Sequence, residues 1–323
     1  MKKQLKIYRK YYPGFLEELR GISEGSGISE DNIFGKFIAQ EDRKVYHDDK
    51  RACTVFGVKE GKRLFVGRNY DFPPIAEKVF ETFETKNPKA FSFVGVTDMG
   101  VPFDANMKGG VSEETKKEVN KLIRYTPIDA INERGLFIGL TKAYHKDVSS
   151  GVFSTHIMKL ITETCESVSD ALKVFKKVPV ANPQNFFIAD SSGKMVVIEH
   201  ASGKNFDVVN PSDDGVLIHT NHFLGKKFKN KDLVLDVAPA HNTFLRYYEA
   251  LQKINIVKRN RDFSKKDIVG ILNAKGSHCL ETGENTSFIK TIWTLSMEMT
   301  GIDYDLLWDL TRSKKKKKIE LDF

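Results

Sequence analysis

Cysteine is scarce, with three in 323 residues. An odd, small number in a long chain gives no disulfide framework and suits a reducing compartment. Long apolar runs are missing too. No stretch approaches the roughly 18 residues that a membrane span needs. After Met1-Lys2-Lys3 the chain reads Gln4-Leu5-Lys6-Ile7-Tyr8-Arg9-Lys10, without an apolar core of signal-peptide length. A cytoplasmic protein is expected. Paired metal-ligand motifs are absent as well. Cys279 beside His278 has no CxxC partner, and His219 and His222 lack obvious companion ligands, so neither a metal nor another cofactor is expected. No internal repeat or linker divides the region after residue 52.

Charge is modest, with Lys and Arg exceeding Asp and Glu by +8. Much of that excess lies in Lys314 to Lys318. No aromatic residue interrupts the run, which argues against a stacking platform for nucleic acid. It reads as a solvated, frayed tail, with a weak phosphate or membrane-surface anchor as the alternative. Apolar content of 40% and charged content of 29% describe a soluble globular protein.

The informative stretch is Ala52-Cys53-Thr54-Val55-Phe56-Gly57-Val58 followed by Gly67-Arg68-Asn69-Tyr70-Asp71-Phe72. Cys53 opens an apolar strand, Lys59-Glu60-Gly61-Lys62 turns it, and Leu64-Phe65-Val66 returns it as a hairpin. The return arm brings Arg68 and Asp71 back towards the level of Cys53. A cation beside a thiol stabilises the thiolate, and a carboxylate can orient an amine. The plain alternative is a core cysteine with two solvated charges beyond it.

Ala-Cys-Thr and Gly-Arg-Asn-Tyr-Asp, with Asn132-Glu133-Arg134-Gly135-Leu136 and Thr220-Asn221-His222-Phe223 later, resemble the cysteine N-terminal-nucleophile hydrolases. Within them the isopenicillin-N acyltransferase branch and the choloylglycine hydrolases (penicillin V acylases and bile salt hydrolases) look most similar. The resemblance covers most of residues 15–300. It implies a four-layer αββα sandwich of two antiparallel sheets. Composition and element order alone give α+β, stacked antiparallel sheets covered by helices.

Residues 1–52 read as helical and charged. An amphipathic stretch runs through Phe15 to Ile22, Ser29 caps a second helix through Ile38, and Gln40 to Arg51 is a polar, exposed segment. The resemblance makes 1–52 a pro-segment removed by autocleavage between Ala52 and Cys53, and 53–323 the catalytic domain with its basic tail. Further strands are expected near 79–83, 90–96, 136–141, 185–189, 195–199, 216–223 and 291–297. Helices are expected near 112–117, 155–165, 169–177 and 242–251 and after Ser264. Cys165 falls on an apolar helix face and reads as core.

If the bond before Cys53 is cut, Cys53 gains an α-amine of pKa about 7.7–8.0, a general base at neutral pH. By resemblance, Arg68 steadies the thiolate, Asp71 holds the amine, Asn221 points its amide at the oxyanion, and Arg246 supports this network. A backbone amide after the 136–141 strand, at Thr141 or Lys142, completes the oxyanion site. The expected reaction is amide C–N cleavage of a small acyl amide through a Cys53 thioester. Transfer of the acyl group to an amine is the alternative. No specific nucleic-acid partner is expected, and a homo-oligomer is. Two other readings stand. One pairs Cys53 with His219 or His222 as in papain-like enzymes. The other is an unprocessed, non-catalytic binding protein.

Overall fold

The computed structural model describes residues 2–38, 52–72, 76, 80–98, 126–237, 242–272, 290–300, 303–309 and 316–320. The expected linker before Cys53, the expected helix at 112–117, and Cys279 lie outside them.

The chain begins with helices α1 (Lys2–Tyr11), α2 (Pro13–Ser26) and α3 (Glu30–Ile38). The hairpin follows as β1 (Ala52–Glu60) and β2 (Arg63–Phe72). Next come β3 (Glu81–Thr85), β4 (Phe93–Thr97), β5 (Asp129–Asn132) and β6 (Phe137–Lys142). Helices α4 (Ser154–Thr164) and α5 (Val168–Lys177) precede β7 (Gln184–Ala189), β8 (Met195–Ser202), β9 (Asn205–Val209) and β10 (Val216–His219). Helices α6 (Val234–Val237), α7 (Thr243–Asn260) and α8 (Lys265–Leu272) lead to β11 (Lys290–Thr300), β12 (Asp303–Asp309) and β13 (Lys316–Glu320).

The strands form two antiparallel sheets. One has six strands in the order β10-β1-β2-β11-β12-β13, and the other is a seven-stranded meander from β3 to β9. Alternation along each strand assigns the faces. Phe56, Val58 and Phe65 point outward and pack on Ala250, Ile254, Phe263 and Ile268 of the α7–α8 layer. Cys53, Val55, Leu64, Val66 and Tyr70 point inward, into the core shared with the second sheet. A Cβ at Gly57 would stand 2.4 Å from Met195 Sδ, so β1 and β8 approach closely there. On the far side, Phe175 of α5 packs on Phe186 of β7, with ring centroids 4.9 Å apart. The layers are helix, sheet, sheet, helix.

The Asn-Glu-x-Gly-Leu phrase has a structural purpose. Asn132 Oδ1 accepts the N–H groups of Arg134 and Leu136, at 3.1 and 3.0 Å. Its Nδ2 donates to the carbonyls of Thr162 and Cys165, both at 2.8 Å. One side chain shapes the β5–β6 turn and ties it to the last turn of α4. Gly135 supplies the positive φ of 77° that the turn requires. Cys165 is buried in the core.

Two readings need correction. Lys316–Glu320 is not a frayed tail but an edge strand, registered with Lys316 opposite Asp309 and Lys318 opposite Leu307. A lysine-rich edge discourages further strand addition. The strand expected over 216–223 stops at His219, and Thr220 to Phe223 leave the ladder. The reason lies in side-chain bonds from Thr220 and Asn221 to α7, described below.

The N-terminal helices are well packed. Phe153 N–H donates to Tyr8 Oη at 3.2 Å, and Tyr8 Oη lies 2.6 Å from His156 Nδ1. Phe15 packs at a tilt against the same imidazole ring, with centroids 4.3 Å apart. Tyr12 bonds Glu163, and Lys159 bridges Glu163 and Glu18, the latter at 2.8 Å.

Burial lowers His156 and His200 from the usual 6.5 to about 3. In both, the native state refuses a proton that the unfolded chain accepts below its ordinary value. The stability they contribute is present above about pH 6.5 and falls as pH drops towards 3, by up to about 1.4 kcal/mol per pH unit for each ring. Urea unfolding between pH 7 and 4 should show this. A variant His200→Phe should lose stability less steeply than wild type.

Candidate active site

Cys53 is placed by register. It lies opposite Tyr70 on β2, while Val55, two residues on, lies opposite both Arg68 on β2 and His219 on β10. Continuing the β1–β10 register sets Asn221 opposite Cys53. Because β10 ends at His219, the side chain of Asn221 rather than its backbone meets the Cys53 peptide. Cys53 N–H donates to Asn221 Oδ1 at 2.9 Å. Asn221 Nδ2 donates to the Lys142 carbonyl at 3.1 Å. Arg246, on the first turn of α7, donates to Asn221 Oδ1 at 2.7 Å, to Thr54 Oγ1 at 3.0 Å and to the Cys53 carbonyl. Asn221 is itself latched to α7, its N–H donating to Thr243 Oγ1 at 2.9 Å. Thr220 Oγ1 donates to the Thr243 carbonyl at 3.1 Å.

The second cluster lies on the β2 side. The Arg68 guanidinium pairs with Asp129 of the opposite sheet, and both side chains are fully buried. Asp129 Oδ2 also accepts from Trp293 Nε1 at 2.7 Å. Trp293 stacks on Tyr70 with centroids 3.9 Å apart. A Cβ on Gly139 would stand 2.6 Å from Asp129 Oδ1 and 3.4 Å from Arg68 Cδ, so only glycine leaves room for this pair. Asp71 faces Ala52 across the hairpin, and its Oδ1 accepts from Thr291 Oγ1 at 2.6 Å.

These charges act on the thiol. Burial pushes Cys53 up, Arg68 pulls it down through charge and a hydrogen bond, and Asp71 and Asp129 push it up, leaving it above the ordinary thiol value. Burial opposes the Arg68 charge, but Asp129 and Cys53 more than offset this and hold the guanidinium above its usual value. The arrangement offers a buried thiol with one adjacent cation, and a peptide N–H gripped by an asparagine.

Cys53, Arg68, Asp71, Asn221 and Arg246, far apart in the chain, thus meet at one end of the β1–β2 hairpin, with Ala52 immediately before the thiol. Thr141 lies on β6 beside His219, one residue before Lys142. Its hydroxyl contacts His219 Nδ1 at 3.1 Å and its carbonyl accepts from Gln184 at 2.7 Å. Of the two alternatives it is Lys142, by its carbonyl, that touches Asn221. The papain-like pairing finds both rings committed elsewhere. His219 bonds Glu199 and Thr141, and His222 Nδ1 bonds Thr220 and Thr243. Phe56 faces the α7–α8 layer, away from the gap between the sheets. Among the described residues no three His, Cys, Asp or Glu side chains converge as metal ligands. No helix among them is long and apolar enough to cross a membrane.

Sequence reasoning missed Asp129, Thr291, Thr54 and Glu199. Asp129 carried a faint signal, an acid on the inward face of a strand three residues before the Asn-Glu-x-Gly-Leu turn. The others carry no local signal.

Residues 124–312 match the family described as acyl-coenzyme A:6-aminopenicillanic acid acyl-transferase. The chain belongs to that family. The matched region contains Asp129, Asn221 and Arg246, and the Cys53 hairpin lies before it. Solved structures agree in fold. The N-acylethanolamine-hydrolyzing acid amidase ortholog of Caenorhabditis elegans aligns at TM-score 0.52 and 13% identity, covering 83% of this chain and 100% of that one. Two point-substituted forms of the conjugated bile acid hydrolase of Clostridium perfringens align over 83% of this chain and 92% of theirs. One, in which a cysteine is replaced by alanine, does so at TM-score 0.52 and 14% identity. The other, in which an arginine is replaced by leucine, does so at 0.54 and 13%. The fold of this acyl-transferase family member is therefore that of the N-terminal-nucleophile hydrolases. No curated protein matches the chain.

The inter-sheet pair makes a specific prediction. Arg68→Gln strands Asp129 as a buried charge and should cost about 3–5 kcal/mol in urea unfolding. It should also move Cys53 alkylation by iodoacetamide, read by peptide mass, to higher pH. The double variant Arg68→Met/Asp129→Leu should regain most of the stability but not the thiol reactivity.

Proposed function

We propose that this protein is a self-processing cysteine amidohydrolase that cleaves a linear amide C–N bond of a small acyl amide through a Cys53 thioester. The observation that carries the reading is the grip on the Ala52–Cys53 peptide. Its nitrogen is held by Asn221, the next carbonyl by Arg246, and the thiol of the same residue faces Arg68.

In the first step Cys53 Sγ attacks the Ala52 carbonyl, and the C–N bond breaks as the C–S bond forms. The thiol proton passes to the departing Cys53 nitrogen. Water then hydrolyses the thioester and frees the segment ending at Ala52. The new α-amine, of pKa about 7.7–8.0 in its ordinary state, then serves as base to the thiol beside it. Asp71, across the hairpin from Ala52, holds that amine. Arg68 offsets the burial that keeps the thiol protonated. Asn221 Oδ1 keeps its hold on the Cys53 nitrogen, and its Nδ2, the donor now on the Lys142 carbonyl, turns to the substrate oxyanion, a contribution of about 2.7–4 kcal/mol for such a donor. Arg246 keeps its amide in orientation.

The family's description favours a second reading, in which an amine replaces water as acceptor. Both share the acyl-enzyme. Thiol chemistry of this kind, with three cysteines in the chain, fits a reducing compartment, and we place the protein in the cytoplasm.

Intact mass of the purified wild type beside Cys53→Ala tests the proposal. Two pieces in the wild type, one beginning at Cys53, and a single whole chain in the variant are expected. A wild type that stays whole leaves Cys53 without an amine and overturns the mechanism.

A further inference from the structure

Beneath the Cys53 row a second buried polar pair, a hydrogen-bonded histidine and glutamate, crosses the gap between the sheets. His219 Nε2 lies 2.9 Å from Glu199 Oε1, and both side chains are fully buried. The two pairs flank one residue. Val55 has Arg68 as its neighbour on β2 and His219 as its neighbour on β10. Arg68 reaches across to Asp129, and His219 reaches across to Glu199.

Glu199 does more than pair with the ring. Its Oε1 also accepts Leu224 N–H at 2.6 Å, and Oε2 accepts Gly225 N–H at 2.9 Å. One carboxylate therefore holds both ends of the segment 219–225, whose interior carries Asn221. The ring is held from its other nitrogen as well. His219 Nδ1 lies 2.9 Å from the Thr220 carbonyl and 3.1 Å from Thr141 Oγ1. Thr141, Asn185 and Glu199 form one cross-strand row on the seven-stranded sheet. Asn185 is fully buried, and among the described residues neither of its amide atoms has a hydrogen-bond partner. A buried amide without a partner is destabilising, so packing alone does not account for this row being polar.

We infer that Glu199 and His219 are positioning residues for the reaction, clamping the 219–225 segment to the second sheet so that the Asn221 amide meets the Cys53 nitrogen. The inference rests on the self-processing reading. Its logic is geometric. Asn221 is tied on one side to α7 through Thr243 and Arg246, and among the described residues its own amide reaches the second sheet only at the Lys142 carbonyl. The Glu199 bonds fix the backbone on both flanks of Asn221 to that same sheet. Neither residue touches the reacting atoms.

The experiment follows self-cleavage of the full chain. Each variant is made by pulsed cell-free synthesis, and loss of the whole chain is timed by intact mass from pH 5 to 9. Melting temperature is measured alongside. Glu199→Ala should slow cleavage about tenfold or more, the scale of a misplaced reacting group. Glu199→Gln keeps one acceptor oxygen but sets an NH2 donor against the other N–H group, so it should recover only part of the rate and fall between Glu199→Ala and wild type. The pH profile should drop without shifting, because Cys53 and Arg68 are untouched. Phe175→Leu, in the outer core, is the destabilised control and should cleave at the wild-type rate. If Glu199→Ala does not fold, Thr141→Val, which removes only the hydroxyl at His219 Nδ1, carries the test and should slow cleavage about threefold.

Wild-type cleavage with Glu199→Ala within twofold of it, or slowed no more than an equally destabilised Phe175→Leu, overturns the positioning role and leaves the self-processing reading standing. For the Thr141→Val arm, a wild-type rate does the same. A wild type that never cleaves overturns both.

Discussion

Two buried polar pairs between the sheets, the ion pair of Arg68 with Asp129 and the hydrogen-bonded pair of His219 with Glu199, set the surroundings of Cys53. Each takes one partner from the six-stranded sheet and one from the seven-stranded sheet. Apolar packing is tolerant of small slides between two sheets, because methyl contacts have little direction. Charge pairs with hydrogen bonds do not share that tolerance. Removing one partner leaves an uncompensated buried charge, while replacing both with apolar groups is often neutral for stability. Such pairs are therefore best read as fixing relative position rather than as adding net stability. Here they lie one row below the thiol, on either side of Val55, where relative position matters most.

Above that row the intact chain already has its polar groups assigned. Asn221 and Arg246 hold the nitrogen and carbonyl of Cys53, and Asp71 lies opposite Ala52. The thiol is kept above its ordinary value by burial in spite of Arg68. Under the proposed function, the same bonds that hold a peptide in place would hold an amine once the peptide is cut. The transition would then require little rearrangement of the groups around it.

The N-terminal helices add a further constraint. Tyr8, Tyr12 and Phe15 pack against α4, and the two tyrosine hydroxyls satisfy His156 and Glu163. The segment before the candidate cleavage point therefore has its own buried interface with the body of the protein. At the opposite end, Lys316–Glu320 is an edge strand rather than a tail. A run of like charge suggests solvation when read locally, but the ladder to β12 depends on a partner strand that local reading cannot supply.

The sequence by itself determined the hairpin, its turn and the inward placement of Cys53, because period and turn chemistry are local. It also determined the family, since four short phrases in fixed order carry it. With them came Arg68, Asp71 and Asn221, while Arg246 came only from the aromatic before it and its place in the chain order. What it left open was every relation across the gap between the sheets. Asp129 and Glu199 are single acids on strands, and nothing near them in the chain marks Arg68 or His219 as a partner. Whether Thr141 or Lys142 meets Asn221 turns on a one-residue register, which alternation along a strand cannot settle alone. The end of β10 at His219 was equally hidden, because it depends on bonds from Thr220 and Asn221 to Thr243 of α7. Those choices belong to the tertiary structure, where burial makes an unpaired polar group expensive and so selects one register, one strand end and one set of partners.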